Sequence, residues 1–388
     1  MPATRILYVN HVGEISGAEE SLLALLERLD RETYAPVLAC PSGPLAERAR
    51  NIGIETAPFA ATRFRRTPNP LTLSMYGVAW VAGVNALRKI VRRVRPRLIH
   101  SNSAKAHLYA STVAKKAGAR CIWHARDLRP LPFPARTFCR NTDRVIAVSD
   151  AVADMLAASG LSRPLVTRIY NGIDPDVWRE RVAGKDVRTG LGLAEDDRVL
   201  LMAAQFVPWK RHEDAIRALP HILKQQPTAK LVLAGTDRFG EHPALQAELQ
   251  ALAAELNVAG QVIFAGQRDD VADLMATSEM VLIPSDAEPF GRVALEAMAL
   301  GRPVVGTRSG GLPEVVRDGE TALLVVPRFP ESLATACLRL LENESLAATL
   351  GEAGRKRVQA LFHIDRTAEE TKALYKSVLH PPLKWAVV

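Results

Sequence analysis

Cysteine is scarce in this chain. Only four of the 388 residues are cysteine, they lie far apart, and no two form a Cys-x-x-Cys pair. This spacing argues against a disulfide framework and against a structural zinc site. The first residues run almost directly into an apolar strand pattern, without the basic segment and long apolar stretch of an export signal. We therefore expect a cytoplasmic protein.

Aromatic residues are also few, at 5% of the chain, and there is no low-complexity tract or short-period repeat. A composition that is 48% hydrophobic and 24% charged excludes a disordered chain, and 388 residues predict two domains. The net charge of +8 favours an anionic partner: a nucleotide phosphate, an acidic membrane surface or a nucleic acid. Because aromatics are few and no nucleic-acid-binding module is recognisable, we expect no nucleic-acid partner.

One long stretch, residues 67–87, has no charged residue and precedes a basic cluster. A membrane-spanning helix needs about 20 strongly apolar residues. Prolines open this stretch, and serine, asparagine and glycine dilute it. We therefore expect a buried helix with a basic end rather than a membrane span.

The basic cluster has two interpretations. Its apolar residues share one helical face, formed by Leu87, Ile90, Val91 and Val94. Arginines and a lysine crowd the other faces, which is typical of an interfacial helix on an anionic membrane. Residues 87–97 are therefore a candidate membrane surface, to which Phe64, Arg65 and Arg66 would add. The alternative is a core-packed helix with solvated arginines.

Short apolar runs alternate with amphipathic helical segments along the whole chain. The runs occupy residues 5–10, 35–40, 97–103, 120–126, 144–149 and 166–172, and then residues 199–205, 230–235, 261–266, 280–285, 302–308 and 321–327. This alternation predicts parallel sheets covered on both faces. Two sets of about six strands predict an α/β fold of two Rossmann-like domains. A turn-rich, charged junction places the first domain at residues 1–178, a linker at 179–195 and the second domain from 196.

The richest motif spans residues 288–319, directly after a predicted strand. Glu288 lies in the loop, Gly291 begins a helix, and Glu296 lies inside that helix. The N–H groups of a helix N-terminus favour a phosphate. The two carboxylates flank this anion site and suit the hydroxyl groups of a sugar and a ribose. Taken alone, such a pair would be a solvated loop residue and a surface helix residue.

The motif ends in the turn Gly310-Gly311-Leu312-Pro313-Glu314, where glycine permits close backbone approach to a ligand. Residues 288–319 as a whole resemble the signature of the retaining glycosyltransferases of family 4. The likeness extends through residues 10–21, 100–111, 123–130, 148–152, 171–174 and 205–211. It implies the GT-B fold, in which two Rossmann-like domains with mainly parallel sheets face each other. It also implies that residues 196–365 bind the nucleotide sugar, and that a helix in residues 366–388 crosses back to the first domain.

The resemblance implies a donor-binding set. Glu288 would contact the transferred sugar, Glu296 the ribose and Lys210 the diphosphate. Gln205 stands where the family usually has an arginine, and glutamine supplies only hydrogen bonds. We expect Arg211 or Arg292 to compensate for the missing charge. The remaining residues expected at the donor site are Gly17, Phe290, Gly291, Arg292, Val293, Gly310 and Gly311.

His124 ends a predicted strand, and Arg126 follows it. A strand-end histidine is more often a packed residue than a catalyst. The resemblance nevertheless implies a position on the acceptor side, where His124 would bond a sugar hydroxyl or backbone group rather than act as a nucleophile. Asn102 and Ser103, after the preceding strand, join Arg126 as acceptor-side candidates.

Together with these patterns, the resemblance implies a retaining, metal-independent glycosyltransferase of cell-envelope or polysaccharide biosynthesis, with Glu288, His124 and Lys210 as catalytic residues. The expected donor is a nucleotide-diphosphate sugar, UDP-sugar before GDP-sugar, with no further cofactor. The expected acceptor is a glycan or a lipid-linked molecule at the inner face of the membrane. Asp174 and Asp176 spell a D-x-D, but their turn position favours a helix cap over a metal site.

Two other functions stay open. A nucleotide-sugar 2-epimerase of the same fold would use the donor site without an acceptor, although the Glu-x7-Glu motif and the glycine turn argue against it. A basic nucleic-acid-binding protein is the less favoured alternative.

Overall fold

The structure of the chain, a computed structural model, describes residues 2–61, 70–129, 131 and 135–381. The chain forms two compact units. One contains the described residues up to Gly172 together with those from Ile364, and the other runs from Ile173 to His363.

The first unit is built on a seven-stranded sheet. Its strands are β1 (Thr4–Val9), β2 (Tyr34–Cys40), β3 (Glu55–Pro58), β4 (Leu98–Ser101), β5 (Arg120–Ala125), β6 (Arg144–Ala147) and β7 (Val166–Arg168). They lie in the order β3-β2-β1-β4-β5-β6-β7, and each pairing is parallel. The helices between them are α1 (Gly17–Glu27), α2 (Pro44–Asn51), α3 (Pro70–Val94), α4 (Ala104–Ala114), α5 (Ala135–Phe138) and α6 (Asp150–Ala158).

Successive side chains of β1 point to opposite faces of this sheet. Ile6 and Tyr8 pack in one apolar cluster with α1, whereas Leu7 and Val9 pack in another with α3 and α4. Both faces of the sheet are therefore covered, as expected for parallel strands.

The second unit has a six-stranded parallel sheet. Its strands are β8 (Arg198–Ala203), β9 (Ala229–Ala234), β10 (Val262–Gly266), β11 (Met280–Ile283), β12 (Val304–Thr307) and β13 (Ala322–Val325). They lie in the order β10-β9-β8-β11-β12-β13. Its helices are α7 (Pro175–Glu180), α8 (Val187–Gly190), α9 (His212–Leu223), α10 (Leu245–Glu255), α11 (Val271–Thr277), α12 (Arg292–Ala299), α13 (Leu312–Val315), α14 (Pro330–Leu341) and α15 (Glu344–Leu361).

In both sheets the strand order reverses beside the first strand, between β1 and β4 and between β8 and β11. Ligands of such folds bind at this switch point, outside the carboxyl ends of the strands. The loops after these four strands are therefore where a site is expected in each unit.

The last helix, α16 (Ile364–Leu379), belongs to the first unit. Tyr375 packs in the same cluster as Tyr8. The units divide at residue 172 rather than near 178, and the expected linker, residues 179–195, lies within the second unit. One reason is that α7 carries a buried tryptophan, Trp178, and packs against α12.

Each apolar run predicted to be a strand coincides with one. The sequence did not predict β3, because it lies at the sheet edge and only one of its four residues, Ala57, is buried. An edge strand of this kind has no apolar run to identify it.

The apolar face at the end of α3 packs inward. Its four residues, Leu87, Ile90, Val91 and Val94, are buried against the sheet. This corrects the expectation that they form the lipid-facing side of an interfacial helix. Earlier in α3, Met75, Val78 and Val81 are 70%, 71% and 56% exposed. Phe64, Arg65 and Arg66 lie outside the described residues.

Among the described helices, none combines the length and apolarity that crossing a bilayer requires. The uncharged stretch that begins at Thr67 lies partly outside the described residues, and its described part, residues 70–87, forms the first part of α3.

Candidate active site

Lys210 and Glu288 form an ion pair at the switch point of the second sheet. Lys210 ends a short 3-10 helix, Pro208–Lys210, in the connection after β8, and Glu288 lies in the loop after β11. The Lys210 Nζ lies 2.6 Å from the Glu288 Oε2, which also accepts a hydrogen bond of 3.1 Å from the Ser285 hydroxyl. The Asp286 N–H donates to the Trp209 carbonyl at 2.9 Å and ties the two connections together.

The glycine turn fixes the backbone of Glu288. The Gly311 N–H donates to the Glu288 carbonyl at 2.7 Å. Gly310 has φ +61°, and a Cβ built there would lie 2.2 Å from that carbonyl oxygen. The close backbone approach expected of this turn is therefore made to the Glu288 loop, and only glycine fits at position 310.

Glycine also begins α12. Gly291 is the N-cap with φ +100°, and a Cβ there would lie 2.9 Å from the Leu312 Cδ1. The predicted helix is confirmed between Arg292 and Ala299, with Leu300 as its C-cap. Its positive end and first-turn N–H groups follow directly after Glu288, so this part of the loop suits an anion.

The second carboxylate of the motif is paired within α12. The Arg292 Nε lies 2.9 Å from the Glu296 Oε1, and the two side chains are only 12% and 11% exposed. Glu296 is therefore not a solvated surface residue. Val293, in the same turn, is half-buried.

The other residues predicted at the donor site differ in how buried they are and in what they contact. Phe290 is buried and packs edge-on against Phe362, with ring centres 6.0 Å apart, so its side chain belongs to the core. Gln205 is half-buried in the connection after β8. Arg211 is bonded by Asp214 at 2.8 Å and by Glu213 at 2.6 Å, and the hydrogen bond to Asp214 raises the pKa of Arg211.

The first unit brings three predicted acceptor-side residues together. The Arg126 Nε donates to the Asn102 Oδ1 at 2.8 Å, and the Arg126 Nη2 lies 3.3 Å from the His124 Nδ1. The Arg126 Nη1 also donates to Asn171 at 2.7 Å. The fourth candidate, Ser103, instead caps α4 and contacts His11 at 2.9 Å.

A buried polar chain continues from Asn102 to the start of α1. The Asn102 amide donates to Asn10 at 3.1 Å, and the Asn10 amide donates to Glu19 at 3.1 Å. Glu19 accepts from the Ser16 N–H and hydroxyl, which holds Gly17 at the first position of the helix. Burial raises the pKa of the Glu19 carboxyl, and its hydrogen bonds oppose that rise.

Sequence reasoning missed His100, which contacts His124, and Tyr375, which contacts His100. The His100 Nε2 lies 3.2 Å from the His124 Nδ1, and the His100 Nδ1 lies 2.5 Å from the Tyr375 Oη. His100 could have been found as a polar residue inside an apolar strand. Tyr375 gives no such signal, because it lies 275 positions away in an ordinary amphipathic helix.

The D-x-D is a helix cap. The Asp174 Oδ1 accepts hydrogen bonds from the N–H groups of Asp176 and Val177 at 3.0 and 3.1 Å, at the start of α7. The cap interpretation is therefore confirmed.

Two family models match the chain. The model described as Glycosyltransferase Family 4 matches residues 15–177, and the one described as Glycosyl transferases group 1 matches residues 185–357. Together the matched ranges span most of both units.

Curated relatives differ in how much they share. N-acetyl-alpha-D-glucosaminyl L-malate synthase of Bacillus anthracis is 28% identical over 355 residues, 86% of this chain and 91% of that protein. D-inositol 3-phosphate glycosyltransferase of Nocardioides sp. is 33% identical over 249 residues, 60% of this chain. That match spans 53% of the relative's own length.

Solved structures share the fold across both units. Anabaena HepE in complex with UDP and glucose has a TM-score of 0.83 and 24% identity, covering 96% of this chain and 100% of that one. Sucrose-phosphate synthase from Thermosynechococcus elongatus has a TM-score of 0.78 and 24% identity, covering 96% and 98%. These likenesses confirm the expected GT-B fold class with its two parallel-sheet units.

Proposed function

The chain belongs to the glycosyltransferases of family 4, and on that premise we propose that it transfers a sugar from a nucleotide-diphosphate sugar to a glycan or lipid-linked acceptor. The anomeric configuration is retained, and the product belongs to the cell envelope or a polysaccharide. The observation that carries this proposal is the largely buried ion pair of Lys210 and Glu288, whose carboxylate lies in the loop that leads to α12.

The donor binds in the second unit. An ammonium group has three donors, so Lys210 can keep its bond to Glu288 while it binds diphosphate oxygens. The N-terminus of α12 adds N–H groups and the positive end of the helix dipole. HepE, which shares the fold, was solved with UDP and with UDP-glucose. This favours a UDP-sugar as the donor of this chain.

Arg292 supplies the cation that Gln205 lacks. It lies in the first turn of α12, where its Nε contacts Glu296. Arg211 is the weaker candidate, because it pairs with both Glu213 and Asp214 and lies outside α12, whereas Arg292 pairs with Glu296 inside the first turns of that helix.

In the transfer step, the bond between the anomeric carbon and the donor phosphate oxygen breaks. The acceptor oxygen forms the new bond on the same face of the sugar, and its proton passes to the departing phosphate. Lys210 and the N–H groups of α12 stabilise the charge that develops on the diphosphate. These groups perform the role that a divalent metal has in other transferases, so the reaction is metal-independent.

The test is product analysis with purified protein, a nucleotide sugar and an acceptor fraction. We expect acceptor-dependent release of the nucleoside diphosphate, the donor's anomeric configuration in the product by NMR, and full activity in EDTA. An inverted product would contradict retention. Activity lost in EDTA and restored by magnesium or manganese would contradict metal independence. A sugar epimerised at C2 without acceptor would identify an epimerase instead.

We also propose that α3 contacts an anionic membrane. Its exposed side begins with the apolar residues Met75, Val78 and Val81. Exposed Lys89 and Arg92 follow on the same side, further along the helix. Apolar residues that enter the interface beside cations that meet anionic headgroups are typical of peripheral helices. The contact would place this enzyme where lipid-linked acceptors are found.

A further inference from the structure

A chain of buried aromatic groups leads from the core of the first unit to His124. The Tyr8 and Tyr375 hydroxyls are 2.9 Å apart, and Tyr375 contacts the His100 Nδ1. The opposite nitrogen of His100 contacts the His124 Nδ1. Tyr8, Tyr375 and His100 are fully buried, and His124 is 1% exposed.

The hydrogen atoms in this series of hydrogen bonds can be assigned by starting from Arg126, which contacts His124. The Arg126 guanidinium only donates, so the His124 Nδ1 that it contacts is an acceptor. The His100 Nε2, facing the same nitrogen, must then carry a hydrogen and donate it. The His100 Nδ1 is left as an acceptor for the Tyr375 hydroxyl. Since Tyr375 gives its hydrogen to His100, it accepts from the Tyr8 hydroxyl.

Both histidines are neutral in this arrangement. Burial lowers the pKa of His100 to about 3, and the nearby charge of Arg126 adds to this effect. Burial lowers the pKa of His124 well below its usual value, again with Arg126 contributing. Neutral His124 with an accepting Nδ1 therefore carries its single hydrogen on Nε2.

The Nε2 of His124 is a buried donor for which the described part of the chain offers no acceptor. Among the residues that the structure describes, none forms a hydrogen bond with this atom. A buried donor is destabilising unless it meets an acceptor, so this nitrogen suits an oxygen atom of a bound molecule. Resting on the proposed function, in which His124 bonds a sugar or acceptor oxygen, we infer that Tyr8, Tyr375 and His100 are positioning residues. They fix His124 as the Nε2–H tautomer, so that it acts as a hydrogen-bond donor and not as a general base.

The first test is the tautomer itself. Long-range ¹H–¹⁵N spectra of protein labelled at histidine distinguish Nε2–H from Nδ1–H and from the doubly protonated ring. We expect His124 to be Nε2–H at neutral pH, with assignment by the His124→Gln variant. A hydrogen on Nδ1, or on both nitrogens, would overturn the inference. This measurement needs no substrate, so a protein without transferase activity would refute the proposed function and leave the tautomer result standing.

The positioning role of Tyr375 is tested by Tyr375→Phe. His100 then loses the donor at Nδ1, and we expect its signals to show mixed tautomers and the His124 signals to shift. We expect kcat to fall about three- to tenfold with KM for the donor unchanged, as for the loss of one hydrogen bond. Tyr34→Phe is the matched control, because Tyr34 packs edge-on against Tyr375 in the same cluster. If Tyr375→Phe kept the histidine signals of the wild-type protein, the positioning role of Tyr375 would be wrong.

The donor role of His124 is tested by comparing glutamine with alanine. A glutamine amide can donate a hydrogen bond but cannot take up a proton at neutral pH. We expect His124→Gln to keep kcat within about tenfold of wild type, and His124→Ala to lose about a hundredfold or more. If His124→Gln were as inactive as His124→Ala, the donor role would be wrong.

Discussion

The charges of Lys210 and Glu288 depend on each other. Their side chains are only 15% and 10% exposed. Removing one partner of a buried ion pair leaves the other charge poorly compensated, which is strongly destabilising. The pair therefore holds both groups in the site, and a diphosphate that binds Lys210 meets a cation already in position.

Because the two charges depend on each other, a single and a double variant should differ in stability but not in transfer activity. We expect Lys210→Met to lower the free energy of unfolding by about 1–3 kcal/mol, because the Glu288 carboxylate loses its charged donor. Adding Glu288→Gln should restore most of that loss, whereas both the single and the double variant should lose about 10²–10³-fold in transfer rate. Denaturant unfolding and initial rates measure the two effects.

The control for this comparison is Lys224→Met, which replaces an exposed lysine at the end of α9. We expect it to change neither quantity. Near-wild-type turnover in Lys210→Met and in Glu288→Ala would overturn the assignment of the site.

Among the structural elements, the glycine turn and the Glu288 loop are held together and are expected to move together. The turn follows β12, the loop follows β11, and the hydrogen bond from Gly311 joins them. Any side chain at position 310 must push the Glu288 carbonyl away, which would also move the carboxylate that pairs with Lys210.

We therefore expect Gly310→Ala to lose both stability and transfer activity. Gly319→Ala is the matched control, because Gly319 has a similar φ of +74° but has no atom within 4 Å of the position a Cβ would take. The control should show only the cost of a left-handed backbone, about 1–2 kcal/mol, with its activity kept. Thermal unfolding and initial rates compare the two variants, and equal effects would show that the contact with Glu288 is unimportant.

The helix α3 has one side in the core and another exposed to solvent. Two variants separate its proposed membrane contacts: Met75→Ser with Val78→Ser removes exposed apolar groups, and Arg92→Gln with Arg93→Gln removes exposed cations. We expect both pairs to reduce co-sedimentation with phosphatidylglycerol vesicles, since each basic side chain near such a surface contributes about 1 kcal/mol.

The dependence of vesicle binding on salt concentration distinguishes the contribution of the cations from that of the apolar residues. Binding through cations weakens as ionic strength rises, because salt screens exposed charges. The arginine pair should therefore lose most of the salt dependence, whereas the apolar pair should keep it. Absence of vesicle binding by the wild-type protein at low ionic strength would contradict the membrane proposal.

At the scale of the whole molecule, the sequence predicts what local patterns encode. Unbroken apolar runs identify the buried strands, and the motif around Glu288 identifies the candidate site of the second unit. The long-range partners are not encoded locally. His100 and Tyr375 meet only because α16 returns to the first unit, and Gly310 faces Glu288 only because β11 and β12 are neighbours.

We propose that the chain binds a nucleotide-diphosphate sugar through Lys210. The most direct test is the melting temperature of wild-type protein and Lys210→Met, titrated with UDP-, GDP- and ADP-glucose. A ligand that binds only the folded protein adds about 2.7 kcal/mol at a hundred times its Kd. We expect a rise for wild type, with UDP-glucose most effective, and a much smaller rise for Lys210→Met. No rise with any of the three, or an equal rise in Lys210→Met, would contradict it.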